Sequence, residues 1–200
     1  MIYFMNSVIL FDLGGVLINW NDDWLYDEIS SQIDKPFNEI KSKFNDNLCS
    51  LFESKINESK FWDIVLGSNN DIDKKIISKT FLKKSSINTE FLTFAKSLQN
   101  HGHSIGILSN LTPETSTNVQ KHLLKEFDYH FYSNLLKMSK PNPEIYEYVC
   151  DQISSENILF IDDKQENLDV AKLFDIETIL FTSDDYQSGL IKEKLLNFLN

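Results

Sequence analysis

Five short, almost uninterrupted apolar runs, most of them ending in polar or acidic residues, limit the folds open to this 200-residue chain. They are SVILFD (7–12), HSIGILSN (103–110), FDYHFYS (127–133), NILFIDD (157–163) and ETILFTS (177–183). A strand that is apolar on both faces must be covered on both faces. Stretches with helical periodicity lie between the runs, at about 113–126, 143–153, 165–174 and 186–199, and EFLTFAKSLQNHG, stopping at Gly102, precedes the second run. Thr112 as N-cap and Pro113 at the first helical position open one of these helices, and KPNPEIYEYV opens the next in the same style. This alternation predicts an α/β fold: a Rossmann-like parallel sheet with helices on both sides.

Residues 19–88 break the rhythm. NDDWLYDEISSQI, PFNEIKSKFNDNL, NESKFWDIVLG and DIDKKIISKTFLKK each read as a modest amphipathic helix, and no strand stands out among them. The expected organisation is a core of residues 1–18 and 89–200, split after its first strand by a helical-bundle cap over 19–88. Ligands of open α/β sheets bind outside the carboxyl ends of the strands, where this insertion would emerge and could serve as a lid.

The first strand ends in Asp12, the second in Ser109 and Asn110, and the fourth in Asp162 and Asp163, with Lys140 in MSKPNPEIY between them. Any one of these has an ordinary explanation as a turn, cap or surface residue. A parallel sheet would bring all of them to one edge, and that conjunction suits phosphoryl transfer. A carboxylate can attack phosphorus. Asp12 and Asp163, with a backbone carbonyl between, are hard oxygen ligands of the kind Mg²⁺ takes. Lys140 and the Ser109 hydroxyl would hold the equatorial oxygens. The net charge of −11 fits only with such local help, because an acidic chain with scattered lysines repels phosphate and nucleic acid alike. Nucleic acid is therefore not an expected partner. The apolar N-terminus has no basic flank or cleavage site and Asp12 interrupts it, so neither a signal peptide nor a membrane anchor is expected and the cytoplasm is the expected compartment. Cys49 and Cys150 match no metal or disulfide pattern.

FDLGGVL, ILSNLT, SKPNPEIY and FIDDKQENLDVAK, in that order, resemble the four motifs of the haloacid dehalogenase superfamily. The likeness spans nearly the whole core, while for the insertion it is architectural only, with the small helical cap of one subfamily. Within the superfamily the combination is similar to sugar phosphatases of the glucose-1-phosphatase type and to the N-terminal phosphatase domain of epoxide hydrolase. The resemblance implies a Mg²⁺-dependent phosphatase acting on a small phosphorylated metabolite through an aspartyl-phosphate. By position, Asp12 would be nucleophile and metal ligand, and Ser109 with Asn110 would bind phosphate. Lys140 would neutralise charge. Asp163, supported by Asp162, would hold the metal with the Gly14 carbonyl, and Asn167 stands where many relatives have an acid.

Gly14 departs from the usual pattern. Most such phosphatases carry there an Asp that protonates the leaving group and activates water, a contribution of about 10²–10⁴-fold. Asp22, Asp23, a bound water or the substrate's own phosphate are the available stand-ins, and a positive φ at Gly14 would strain any other residue placed there. Two other readings stay open: a non-catalytic phosphate-binding scaffold that lost turnover with the acid, and a dehalogenase, against which Gly14 and the paired aspartates 162–163 both argue. Trp20, Trp24 and Trp62 read as packing within the cap, Trp20 being the best placed to touch substrate. His101, His103, His122 and His130 show no ligand spacing. The segment LIKEKLLNFLN is amphipathic and packs on the sheet, and the chain is expected as monomer or homodimer.

Overall fold

The computed structural model describes residues 7–123, 127–155 and 157–199; the expected end of the helix at 124–126, the start of the N-terminal run and the side chain of His122 lie outside the described residues. Five strands, β1 (Val8–Phe11), β4 (Ser104–Ser109), β5 (Tyr129–Tyr132), β6 (Ile158–Asp162) and β7 (Glu177–Leu180), form one sheet in the order β5-β4-β1-β6-β7. Every neighbouring pair is parallel. They fall within the five apolar runs. Alternate residues of each strand face opposite layers. Ile9, Phe11, Ile105, Ile107 and Ile161 pack with α5 (Thr89–Asn100), α6 (Pro113–Leu123) and α11 (Leu190–Leu199). Val8, Leu10, Leu108, Ile158 and Phe160 pack with α8 (Pro143–Gln152) and α9 (Gln165–Ala171). This double cover is why the strands read as continuous apolar runs rather than as alternating ones.

β1 is central. The chain runs outward from it through β4 to β5, then returns to its other side for β6 and β7. The reversal places a crevice at the carboxyl end of β1, between the ends of β4 and β6.

Helices α1 (Asp22–Ile33), α2 (Lys41–Phe52), α3 (Glu58–Leu66) and α4 (Ile76–Lys84) occupy the segment between the first two long strands. They bury a cluster of their own that includes Ile29, Phe44, Leu51, Phe61, Trp62 and Ile76. Phe44 meets Phe61 edge to face, with ring centroids 5.2 Å apart. Trp62 is fully buried there, as expected of a packing residue. A two-stranded antiparallel ribbon joins this bundle to the sheet: β2 (Ile18–Asn19) pairs with β3 (Ser86–Ile87), Ile18 opposite Ile87. No strand was expected in this stretch, and two-residue strands are too short to carry a periodicity.

Two other differences concern chain breaks. The helix expected over 186–199 is two, α10 (Ser183–Gln187) and α11, separated at Gly189 with φ 82°. The last part of the 165–174 helix tightens into a 3₁₀ turn over 172–174. α11 buries Ile191 and Leu195 against the sheet. Among the described residues no helix is long and apolar enough to cross a membrane.

Candidate active site

Asp12 follows the last residue of β1 and is 8% exposed. Its Oδ1 accepts from the Leu13 N–H at 2.7 Å and pairs with the Lys140 ammonium at 3.1 Å. Ser109, buried at the end of β4, stands beside the same carboxylate and favours its charged form. Lys140 is 2% exposed, and its Nζ lies 2.5 Å from Asp162 Oδ2 at the end of β6. The Phe160 ring lies beneath the ammonium, 5.0 Å from centroid to Nζ. Asp12, Ser109, Lys140, Asp162 and Asp163, five of the residues singled out in the sequence, are thus neighbours.

The two adjacent aspartates differ in a way the sequence does not show. Asp162 is wholly buried and its oxygens are engaged. Oδ1 accepts from the Lys164 N–H at 2.7 Å, Oδ2 takes the Lys140 ammonium, and the Asn167 amide bridges both at 3.1 and 2.9 Å. This carboxylate holds Lys140 and the start of α9 in place. Asp163 Oδ1, by contrast, is buried without a hydrogen-bond partner. Burial, with the charges of Asp12 and Asp162, pushes the Asp163 carboxyl up to about 7. Asp12 is also raised, chiefly by burial, with Lys140 opposing. Burial alone would lower the Lys140 ammonium, but Asp12 and Asp162 more than reverse this.

Carboxylate oxygens of Asp12, Asp162 and Asp163 come within 4.8 Å of one another. Three carboxylates face the buried Lys140 ammonium, with Lys164 nearby, and this excess of acids helps raise Asp163; a divalent cation would balance the charge of their ionised forms. Asp12 and Asp163 fit that task better than Asp162, whose oxygens already have partners.

The Asn110 side chain bonds within the protein. Its amide donates to the Lys140 carbonyl at 2.8 Å and its oxygen accepts from the Lys140 N–H at 3.0 Å. The side chain is spent on the backbone of the lysine loop, in which the Lys140–Pro141 peptide is cis. A part for Asn110 in phosphate binding would therefore fall to its backbone.

The paired glycines divide the work. Gly15, not Gly14, has positive φ, at 81°. A Cβ on Gly15 would lie 2.7 Å from Asp163 Cγ, so the backbone there approaches the aspartate closely. A Cβ on Gly14 would meet only the Trp20 indole, at 3.6 Å, an ordinary contact. Trp20 thus lies beside the place where an acid would stand, and it packs against Phe81 of α4 with centroids 5.2 Å apart. Of the suggested stand-ins, Asp22 is the one tied to this region. Its Oδ1 accepts from Trp20 Nε1 at 2.8 Å and its Oδ2 pairs with Lys164 Nζ at 3.2 Å. Asp23 is exposed. A cavity of about 310 Å³ lies beside the ribbon, lined by Ile18, Phe81, Leu82 and Ile87 among others, and none of the site's carboxylates borders it.

Glu53, which nothing in the sequence marked out, is 3% exposed at the end of α2 and accepts from Ser139 Oγ at 2.8 Å and Asn142 Nδ2 at 3.2 Å. Of the histidines, His101 bonds the Ser97 carbonyl at 2.8 Å and His130 the Tyr132 hydroxyl at 3.3 Å. Both cysteines are free thiols.

The family model described as haloacid dehalogenase-like hydrolase matches residues 9–181, a span that contains every residue of this site. The chain belongs to that family. The sesquiterpene phosphatase astK of Aspergillus oryzae is 27% identical over 170 residues, covering 82% of this chain and 83% of its own. Among solved structures, the HAD family enzyme bt-2542 from Bacteroides thetaiotaomicron, in its magnesium complex, is 25% identical with a TM-score of 0.75, covering 94% of this chain and 98% of that one. A HAD-like family hydrolase from Porphyromonas gingivalis is 22% identical with a TM-score of 0.74, covering 96% and 98%. As a HAD-like hydrolase, this chain carries its expected parallel sheet with the four motifs at the carboxyl edge.

Proposed function

We propose that this HAD-like hydrolase is a Mg²⁺-dependent phosphatase of a small phosphorylated metabolite, with Asp12 as nucleophile and residues 19–88 as the cap that closes over the substrate. The observation that carries the reading is the charge imbalance at the sheet edge, with Asp163 Oδ1 buried and unpartnered beside Asp12. The sesquiterpene phosphatase relative and the magnesium complex of bt-2542 support it.

Asp12, Asp163 and the Gly14 carbonyl would hold the metal, with Asp162 supporting them through Lys140. When bound, Mg²⁺ would offset the repulsion between the anionic nucleophile and the phosphoryl oxygens. The Asp12 carboxylate attacks phosphorus, a new P–O bond forms, and the bond to the leaving oxygen breaks. The Ser109 hydroxyl would hold the phosphoryl oxygens, and Lys140 presents its charge where they gather. Water then attacks the aspartyl-phosphate, releasing inorganic phosphate and restoring the carboxylate. Gly14 supplies no proton to the departing oxygen, so a leaving group of low basicity suits this site.

The test is hydrolysis of p-nitrophenyl phosphate by the wild type and Asp12→Asn, each with Mg²⁺ and with EDTA. The wild type should turn over with Mg²⁺ and stop in EDTA, and Asp12→Asn should stay at background. An Asp12→Asn rate above about a tenth of wild type, a difference under about 1.4 kcal/mol, contradicts the covalent route. Full activity in EDTA contradicts the metal. No turnover of this or any other phosphomonoester would leave the scaffold reading.

A further inference from the structure

We propose that Glu53 is a positioning residue through which the helical insertion sets the placement of Lys140. The residues that bracket the lysine, Ser139 and Asn142, both donate to one oxygen of Glu53, at 2.8 and 3.2 Å. Its other oxygen pairs with the exposed Lys55 at 2.5 Å. Burial alone would raise the Glu53 carboxyl, but Lys55, Ser139 and Asn142 together hold it below its ordinary value, so it is ionised at neutral pH. The preceding residue is anchored too, because the Ser133 hydroxyl donates to the Phe52 carbonyl at 3.0 Å and accepts from the Leu111 N–H at 3.0 Å. Leu111 directly follows the Ser109–Asn110 pair.

The lysine loop is therefore clamped from two sides. Asn110 holds the Lys140 N–H and carbonyl from the core. Glu53 holds the flanking residues from the insertion. Lys140 reaches Asp12 and Asp162 along a side chain buried to 2% exposure, so a loop that moves carries its ammonium with it. Glu53 lies on the insertion and touches neither Asp12 nor Lys140, so it acts through the loop. If the insertion moves away from the sheet, both hydrogen bonds to the loop break. Seating the insertion and fixing the cation are then one event.

The rate arm rests on the phosphatase reading, whereas the second arm does not. Glu53→Ala removes the acceptor. Glu53→Asp keeps the charge but is one methylene too short to reach Ser139 and Asn142. Glu53→Gln keeps an acceptor oxygen at the same reach. Lys55→Ala removes only the exposed ion-pair partner. With p-nitrophenyl phosphate and Mg²⁺, Glu53→Ala and Glu53→Asp should lower kcat by roughly tenfold or more, the scale of one hydrogen bond to a charged group. Glu53→Gln and Lys55→Ala should stay within about threefold of wild type. Amide hydrogen exchange across residues 139–145 should speed up in Glu53→Ala and Glu53→Asp and stay protected in Glu53→Gln. A general loss of structure would move both arms for all Glu53 variants alike, so a parallel fall in Glu53→Gln overturns the proposal. So does wild-type exchange in that segment for Glu53→Asp, or wild-type kcat in an active Glu53→Ala enzyme. If the wild type hydrolyses no phosphomonoester, the phosphatase reading fails while the exchange arm still decides on Glu53.

Discussion

Raising the pH from 5 to 8 should weaken the helical insertion, and Glu58 is the residue responsible. Glu58 opens α3 and is 3% exposed. Its Oε1 accepts from the Ile77 N–H at 2.6 Å, and Oε2 lies 2.9 Å from the Ser78 hydroxyl. The Ser78 hydroxyl also reaches the Lys75 carbonyl at 3.2 Å. A hydroxyl has one hydrogen, so Glu58 and the Lys75 carbonyl share the Ser78 donor and it compensates the buried carboxylate only in part. Burial pushes the Glu58 carboxyl from its ordinary 4.5 to about 7; the Ile77 and Ser78 bonds oppose this and Glu114 adds to it. The folded chain then holds a proton that the unfolded chain releases at pH 4.5. The resulting stability is complete below pH 4.5 and is lost as the pH rises through about 7. At about 1.36 kcal/mol per pH unit, this amounts to roughly 3 kcal/mol. The assay is urea unfolding of wild type and Glu58→Gln at pH 5, 6, 7 and 8, read as the difference between the two. Glutamine keeps an acceptor for Ile77 and a donor for Ser78 and does not titrate. The two should be close at pH 5, with Glu58→Gln the more stable by about 3 kcal/mol at pH 8. Stability curves that run parallel from pH 5 to 8 would refute the reasoning.

The remaining predictions concern the site. Gly14→Asp should fold, because a Cβ there meets only Trp20 at 3.6 Å and φ is not positive; it should flatten the dependence of log kcat on leaving-group pKa, and a wild-type slope near zero with chemistry rate-limiting would point to Asp22 as proton donor. Gly15→Ala should cost about 1–2 kcal/mol of stability from its positive φ and also impair Mg²⁺-dependent turnover by pushing on Asp163; wild-type behaviour in both assays contradicts the close approach. Asp163→Ala should abolish the response of rate to Mg²⁺ while leaving the thermal midpoint at or above wild type. Asp162→Ala should instead lower stability by about 1–3 kcal/mol, because it leaves the buried Lys140 ammonium with Asp12 alone and takes the acceptor from the Asn167 amide and the Lys164 N–H; the reverse pattern, seen by Mg²⁺ titration and calorimetry, contradicts the division between the two aspartates.

The sheet was legible because burial on both faces leaves an unmistakable mark, and a strand's last residue can be read once its apolar run is read. The topology then gathers Asp12, Ser109, Lys140 and Asp162 without further information. Features that depend on who touches whom were not legible. Nothing local separates Asp162 from Asp163; the difference arises because Asn167 and Lys140 reach one of them. Two glycines in a row hide which takes the positive φ. The Ile18–Asn19 and Ser86–Ile87 ribbon is too short to show a period. Glu53 sits in LFESK, beside a lysine, where a glutamate ordinarily faces water; Ser139, its partner, is 86 residues away. Asn110 was placed beside the phosphate by its neighbour Ser109, yet its amide matches the backbone of Lys140 and is taken up there.

The claim on which the rest depends is that Asp12 carries the phosphoryl group. Acid quenching during turnover of p-nitrophenyl phosphate with Mg²⁺, followed by peptide mass spectrometry, reads this directly. The account predicts a hydroxylamine-labile phosphoryl adduct on Asp12, present in the wild type and absent from Asp12→Asn. Turnover by the wild type with no adduct on Asp12 at any quench time, alongside an Asp12→Asn enzyme that still hydrolyses the substrate, would contradict it.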